Sequence, residues 1–408
     1  MTRSRLAVAL IAALGAMAVF AAAPAQAAHT HSAQTHITQT QAGCTHQTEP
    51  PPPVDSSESP APGATSPPPL PVPVPPVGGV RMGECGLILP VGAPAPPAGI
   101  NAQSWLIADA DSGEVLAARD PHARNRPAST LKLFTSLLIA DQLPFDRVVV
   151  GTQADADQDG SRVGIGPGGR YTVRQLLAGL FLSSGNDAAH ALADQMGGVA
   201  STVKQINELA ARLGALDTRA ATPSGLDGPG MSSSAYDLAL AFRQVLHQPR
   251  LVELLGTRLV NFPGYGKLPG FLLSNDNRLL RSYPGSLGGK TGFNDDARQT
   301  QADAAQRGGR RLLVVLMRGE RAASMAEQAA NLLTYGFALP PGHPVGRLVN
   351  ESEVPAANPA APGPAPGAGP STAHAPHDAG VVLPVAWFGI AVIVLAGLAA
   401  LVARQRHR

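Results

Sequence analysis

The amino-acid sequence predicts an α+β domain: an antiparallel sheet assembled from both ends of the domain, flanked by helices, with a mostly helical insertion between the two sheet portions. Three observations predict it. Near the start, Trp105 to Ala108 and Glu114 to Ala117 are short β-type runs joined by Asp109-Ala110-Asp111-Ser112-Gly113, the turn chemistry of a hairpin. Near the end, Thr300 to Ala304 alternates and Leu312 to Met317 is an apolar run fit for a buried strand, with Gly308-Gly309 turning the chain between them. In the middle, apolar residues recur every three to four positions in Leu131–Ala140, Val173–Leu182, Ala188–Met196, Val203–Leu213 and Ala235–Leu246. A last helical run, Ala323 to Leu333, closes the unit, and no internal repeat interrupts it.

The ends of the chain predict export and anchoring. Arg3 and Arg5 precede an apolar run from Leu6 to Ala23, and Ala25-Gln26-Ala27 is a small-x-small cleavage pattern, so residues 1–27 read as a signal peptide. From Val381 to Val402 no charged residue occurs, and as a helix this stretch would span about 33 Å, enough for a bilayer core. Arg404, Arg406 and Arg408 follow, so residues 403–408 read as a basic cytoplasmic tail and everything before Val381 as extracytoplasmic. The expected location is the cell membrane, crossed once.

Proline marks the spacers. Many of the 39 prolines crowd into Glu49–Pro97 and Val354–Pro376, where missing N–H groups and a fixed φ disfavour sheet and helix. Residues 28–98 and 345–380 therefore read as linkers around a globular domain at 99–344, long enough to bury a core. Cys44 and Cys85, the only cysteines, lie in the first linker, and in an exported chain they are open to pairing with each other, to remaining free or to crosslinking a partner. His29, His31, His36 and His46 read as solvated residues of a polar leader rather than metal ligands. A net charge of +2 with 15% charged residues gives no nucleic-acid signature.

Three short motifs carry the chemistry. Pro127-Ala128-Ser129-Thr130-Leu131-Lys132 opens a helical run with proline in its first turn, placing Ser129 and Lys132 on one face, a nucleophile beside its base. Only Lys132, Lys204, Lys267 and Lys290 are lysines among 31 basic residues, and a base that must lose its proton is a position where arginine cannot serve. Ser183-Ser184-Gly185-Asn186-Asp187 falls between two helical runs, where the Ser184 hydroxyl can relay a proton and the Asn186 carboxamide can hold a peptide group. Gly288-Gly289-Lys290-Thr291-Gly292 precedes the terminal strands, where residues without side chains let a substrate backbone approach an edge while Lys290 and Thr291 attract a carboxylate. Each motif alone is bland. In this order they make the S-x-x-K, S-x-N and K-T-G signature of penicillin-binding proteins and class A β-lactamases.

On these residues, together with Arg126-Pro127-Ala128-Ser129, Thr222-Pro223-Ser224-Gly225-Leu226-Asp227-Gly228, Tyr236-Asp237-Leu238-Ala239 and Asn275-Asp276-Asn277, the chain resembles low-molecular-mass penicillin-binding proteins of the D-alanyl-D-alanine carboxypeptidase family, of actinobacterial (mycobacterial) type, over roughly Ala102–Phe337. The resemblance implies a β-lactamase/transpeptidase-like fold and a serine carboxypeptidase without cofactor or metal, acting on peptidoglycan stem peptides ending in D-Ala-D-Ala and acylated by β-lactams. It implies Ser129 as nucleophile, Lys132 as proton acceptor, Ser184 with Lys290 as proton relay and Asn186 as substrate-orienting group. It further implies an oxyanion hole from the backbone N–H groups of Ser129 and Phe293, just past Gly292, and a carboxylate grip from Thr291. Many relatives carry a further β-rich domain where this chain has a Pro/Ala tract.

Rival readings are a peptidoglycan transpeptidase or endopeptidase, and a non-catalytic wall-binding or β-lactam-sensing module. A class A β-lactamase needs a glutamate on a loop between S-x-N and K-T-G. That interval holds only Glu208 and Glu253, both within helical runs, so slow-reversing acylation is expected rather than hydrolysis. No H-E-x-x-H or G-x-S-x-G occurs, and Asp155-Ala156-Asp157-Gln158-Asp159-Gly160 starts like a calcium loop but has Gly166 at its twelfth position, so it reads as a solvated acidic turn. Arg298 stands where the family resemblance implies glycine or another small residue; it either adds a carboxylate contact or faces solvent, and it is read as facing solvent.

Overall fold

The computed structural model describes residues 44–354. In chain order these form β1 Leu87–Ile88, β2 Ser104–Asp109, β3 Glu114–Arg119, α1 Lys132–Gln142, β4 Val148–Val150, α2 Gln153–Ala156, β5 Arg170–Thr172, α3 Val173–Ser183, α4 Asn186–Asp194, α5 Val199–Leu213, α6 Ala235–Leu246 and α7 Pro249–Leu255. There follow β6 Leu259–Phe262, β7 Phe271–Ser274, α8 Leu279–Ser282, β8 Ser286–Asn294, β9 Arg298–Arg307, β10 Arg310–Gly319, α9 Met325–Ala338 and β11 Gly346–Arg347. The expected signal peptide, the membrane span, the basic tail and the second linker beyond Val354 lie outside the described residues.

The sheet runs β1-β3-β2-β10-β9-β8, with β11 also on β3, and its pairs are antiparallel. The N-terminal hairpin meets the C-terminal strands at β2–β10, where Ile107 opposes Val314 and Trp105 opposes Leu316. Helices α1 to α7 fill the interval between the two sheet portions, which is the α+β arrangement read from the sequence. Successive residues of β10 serve two cores because side chains alternate across a strand. Leu313, Val315 and Met317 face the helical insertion, whereas Leu312, Val314 and Leu316 face α9 with Ala329, Leu332 and Leu333. Both faces are covered, which explains why β10 is a continuous apolar run.

Two boundaries need correction. The chain from 44 to 98 is not a free linker: Val77, Met82 and Ile88 are buried, β1 pairs with β3, and Cys44 and Cys85 form a disulfide. The physical reason is that proline removes donors but not acceptors. Thr48 O and Leu70 O accept from Arg124 Nη1 and Pro71 O accepts from Arg124 Nη2, so the irregular strap satisfies a guanidinium that is only 1% exposed. His46, read as solvated, is half-buried and its carbonyl accepts from Arg124 N. At the other end, residues 345–349 belong to the domain, with β11 on β3 and Leu348 fully buried.

The acidic turn also differs from its reading. Thr152 caps α2 in a reciprocal box with Asp155, and Asp155 is buried against His190 at 2.6 Å, leaving only Asp157 and Asp159 exposed.

Candidate active site

The nucleophile sits on a 310 turn rather than inside the helix expected from Pro127. Residues Ala128–Leu131 form that turn and α1 begins at Lys132. Three residues per turn eclipse positions i and i+3, so Ser129 and Lys132 stand one above the other. The Lys132 ammonium nitrogen lies 2.8 Å from Ser129 Oγ, 2.7 Å from Asn186 Oδ1 and 2.6 Å from Ser224 O. Lys132 is fully buried; burial first, and the Lys290 charge second, hold its pKa well below the ordinary lysine value. A neutral amine has two N–H donors and one lone pair. Asn186 Oδ1 and Ser224 O take the donors, and the lone pair is left for the Ser129 hydroxyl.

Ser224 was not visible in the sequence as a site residue, because it contributes a backbone carbonyl and its side chain type carries no signal. Its neighbour Gly225 has φ +83°, and a Cβ there would meet Ala128 O at 1.9 Å, so this loop fits under the nucleophile's turn only with glycine. Gly225→Ala is expected to destabilise the fold by about 2 kcal/mol or more and to slow acylation of Ser129, read by thermal unfolding and by labelled-penicillin uptake.

Ser184 closes α3 in the left-handed region at φ 58°, an uncommon backbone for a side chain other than glycine, and its N–H caps Gly179 O. That turn aims its hydroxyl at Lys290, whose Nζ donates to Ser184 Oγ and, at 2.6 Å, to Thr291 O. Lys290 is fully buried; burial brings its pKa down to about 7, opposed by the Asp276 carboxylate. Asn186, the first residue of α4, is fixed by its Nδ2 on Asp159 O and its N–H on Ser161 O, both at 2.7 Å. Asp187 holds that wall by accepting from the N–H groups of Val163, Gly164 and Ile165.

The third wall is β8, the sheet edge. A Cβ on Gly292 would meet Thr300 Oγ1 at 2.4 Å and Ser129 N at 2.9 Å, so the strand lies against the nucleophile's own N–H only because the residue lacks a side chain. Thr300 Oγ1 also donates to Pro127 O at 2.9 Å, locking β9 to the same turn. A cleft of about 630 Å³ opens here, lined among others by Ser129, Ser161, Ser184, Thr291, Phe293 and Arg321. Arg321 stacks 4.0 Å over the Phe293 ring at the cleft rim, placed there by the loop after β10, a tertiary proximity with no local sequence pattern. All eight residues singled out from the sequence, Ser129, Lys132, Ser184, Asn186, Lys290, Thr291, Gly292 and Phe293, flank this one cleft or the lysine pair beneath it.

Two excluded glutamates are indeed elsewhere. Glu208 is exposed and pairs with Lys204, and Glu253 is exposed and pairs with Arg174. Arg298 departs from its solvent reading: it is half-buried with φ 58°, and its Nε is buried with no partner among the described residues. The positive φ accounts for a small residue being expected there.

Residues 91–321 match the peptidase S11 family, described as D-alanyl-D-alanine carboxypeptidase. The chain is 45% identical over 266 residues to D-alanyl-D-alanine carboxypeptidase DacB2 of Mycobacterium tuberculosis, covering 64% of this chain and 90% of that protein. It is 30% identical over 251 residues to DacF of Bacillus subtilis, spanning 60% of this chain but only 64% of DacF. Among solved structures, a D-alanyl-D-alanine carboxypeptidase from Mycobacterium tuberculosis superposes with a TM-score of 0.61 at 43% identity over 64% of this chain and 99% of that one. The Streptomyces K15 DD-transpeptidase does so with a TM-score of 0.58 at 27% identity, over 60% and 100%.

Proposed function

The chain belongs to the D-alanyl-D-alanine carboxypeptidase family, and from that premise we propose that it releases the terminal D-alanine of peptidoglycan stem peptides through an acyl-enzyme on Ser129. The observation that carries the residue assignment is the Lys132 amine, buried and bonded at once to Ser129 Oγ, Asn186 Oδ1 and Ser224 O. In this reading Lys132 takes the hydroxyl proton as Ser129 attacks the penultimate carbonyl. The developing oxyanion is met by the N–H groups of Ser129 and Phe293. Ser184, hydrogen-bonded to Lys290, passes a proton to the departing D-alanine amine, so a neutral amino group leaves as the ester forms. Asn186 orients the peptide, and Thr291 with Lys290 grips the terminal carboxylate. Water then attacks the ester, returning Ser129 Oγ–H and a carboxylic acid.

A β-lactam presents the same carbonyl inside a ring, so its leaving nitrogen stays attached after acylation. Among the described residues no glutamate lines the cleft to activate water, which supports a slowly reversing adduct. The compartment follows from the substrate: a signal peptide at 1–27 and an anchor at 381–402 would place the domain outside the membrane, facing the wall. Among the described residues no helix is long and apolar enough to cross a membrane.

The test is mass spectrometry of the exported chain after incubation with a D-Ala-D-Ala pentapeptide and, separately, with penicillin. Loss of one alanine plus an adduct on Ser129 is expected. An adduct without alanine release, or release only when an acceptor amine is present, would favour a sensor or a transpeptidase instead.

The pH dependence follows from Lys290. It keeps its proton only below about pH 7, so turnover of a peptide ending in a carboxylate should fall above that pH, by about tenfold per unit at the limit. In Lys290→Arg, whose cation does not titrate and so serves the Ser184 relay poorly, turnover should be lower at every pH and what remains should show no such alkaline limb. A limb that survives in Lys290→Arg assigns it to another group.

A further inference from the structure

We propose that the strap segment Val54–Glu58 braces the oxyanion hole by tying the approach to the Ser129 turn to the turn that ends β8, the strand carrying Phe293. The proposal rests on the assignment of the Ser129 and Phe293 N–H groups made above. Arg126 lies three residues before Ser129, and Asp296 lies three residues after Phe293. Glu58 grips the first: its carboxylate accepts from Arg126 Nε and, at 2.7 Å, from Arg126 Nη2, while Pro51 O accepts from Nη1 at 2.6 Å. Four residues earlier, Val54 N donates to Asp296 Oδ1 at 2.5 Å, and Ser57 Oγ reaches Asp296 Oδ2 at 3.5 Å. One short bent piece, with a turn at Ser56–Ser59, therefore links the residues that lead into the nucleophile's turn to the β8–β9 turn.

Each end of that span is rigid in its own right. Arg126 is 2% exposed and Asp296 is 2% exposed, so neither side chain has room to seek another partner. The β8–β9 turn is pinned by Ala297 N on Asn294 Oδ1 and by Arg318 Nη1 on Asp296 O, both at 2.6 Å. A bidentate carboxylate–guanidinium pair fixes orientation as well as distance. The strap is in turn closed by the Cys44–Cys85 disulfide and held down by Arg124 on Thr48, Leu70 and Pro71. Asp227 stands in the same cluster, where burial first, then the charges of Asp296 and Glu58, push its carboxyl up to about 6, so Arg126 is the cation around which three acids gather. Oxyanion stabilisation depends on donors held where the charge develops, and a small misplacement is costly. Glu58 and Asp296 are thus positioning residues, acting through backbone amides they do not themselves supply.

The experiment compares Glu58→Gln, Glu58→Asp and Asp296→Asn with the unsubstituted exported chain. Measured are the acylation rate with labelled penicillin, kcat and KM for alanine release, thermal unfolding, and affinity for an arylboronic acid, whose boron becomes tetrahedral on Ser129 with one oxygen in the hole. Glu58→Gln is expected to cut the acylation rate and kcat by about tenfold, to weaken the boronic acid by a similar factor and to leave KM nearly unchanged, while the unfolding midpoint falls because the buried Arg126 loses its carboxylate partner. Glu58→Asp should recover part of the rate. Acylation at the unsubstituted rate, or a rate loss that tracks the unfolding midpoint with boronate affinity intact, overturns the brace. Absence of any adduct on the unsubstituted chain overturns the assignment of Ser129 first, and the brace with it.

Discussion

Replacing Lys132 with arginine should slow acylation of Ser129 by about a thousandfold, within the range for loss of a positioned general base. The substitution keeps a long basic side chain but not the chemistry, since a guanidinium does not give up its proton near neutral pH. It also strikes the geometry: the Nζ sits in a fully buried pocket with three partners at 2.6 to 2.8 Å, and a planar five-donor fork has no lone pair to offer Ser129 Oγ. Labelled-penicillin uptake and alanine release, measured on the same preparation, should fall together. Ser129→Ala should abolish both, because no oxygen remains to carry the acyl group. If Lys132→Arg acylates within tenfold of the unsubstituted rate, the base is not Lys132; the next candidate is Ser184 backed by Lys290.

Why the sequence revealed some of this and hid the rest is a matter of where the information resides. The hairpin β2–β3 and helix α6 were legible because turn chemistry and apolar period are local, and α6 spans Ala235–Leu246 as read. The catalytic residues were legible because their chemistry restricts residue type: a hydroxyl, a deprotonatable amine, a carboxamide. Ser224 acts through a carbonyl that every residue possesses, so no side chain announced it. The 310 turn at Ala128–Leu131 is not legible as such because Ala128 holds φ 46°, a left-handed backbone state that alanine does not signal. Strand β8 was expected only as an approachable edge, since its glycines carry little β propensity; pairing with β9 over Ser286–Asn294 makes it a strand.

The strap departs furthest from what its proline content implies, and its removal should have the largest effect on stability. A chain starting at Gly99, the boundary that proline content suggests, loses the buried side chains of Val77, Met82 and Ile88, each worth about 1.5–3 kcal/mol. It also strips Arg124 of three carbonyl acceptors, leaving Asp217 as its side-chain partner, and strips Arg126 of Glu58. An uncompensated buried charge costs about 3–5 kcal/mol. Against a typical domain stability of about 5–15 kcal/mol, the truncated chain should fail to give a cooperative unfolding transition and take up no penicillin. Cutting the disulfide alone is the control. Cys44→Ser with Cys85→Ser leaves every strap contact in place and removes a closed loop of 41-residue separation, a loss of about 3–4 kcal/mol through the unfolded state. That variant should melt earlier yet still acylate when folded, because the disulfide acts on the unfolded chain, whereas the strap's carbonyls and Glu58 act on the arginines beside the nucleophile. A Gly99 chain that melts cooperatively and acylates normally would show that the strap merely decorates the domain.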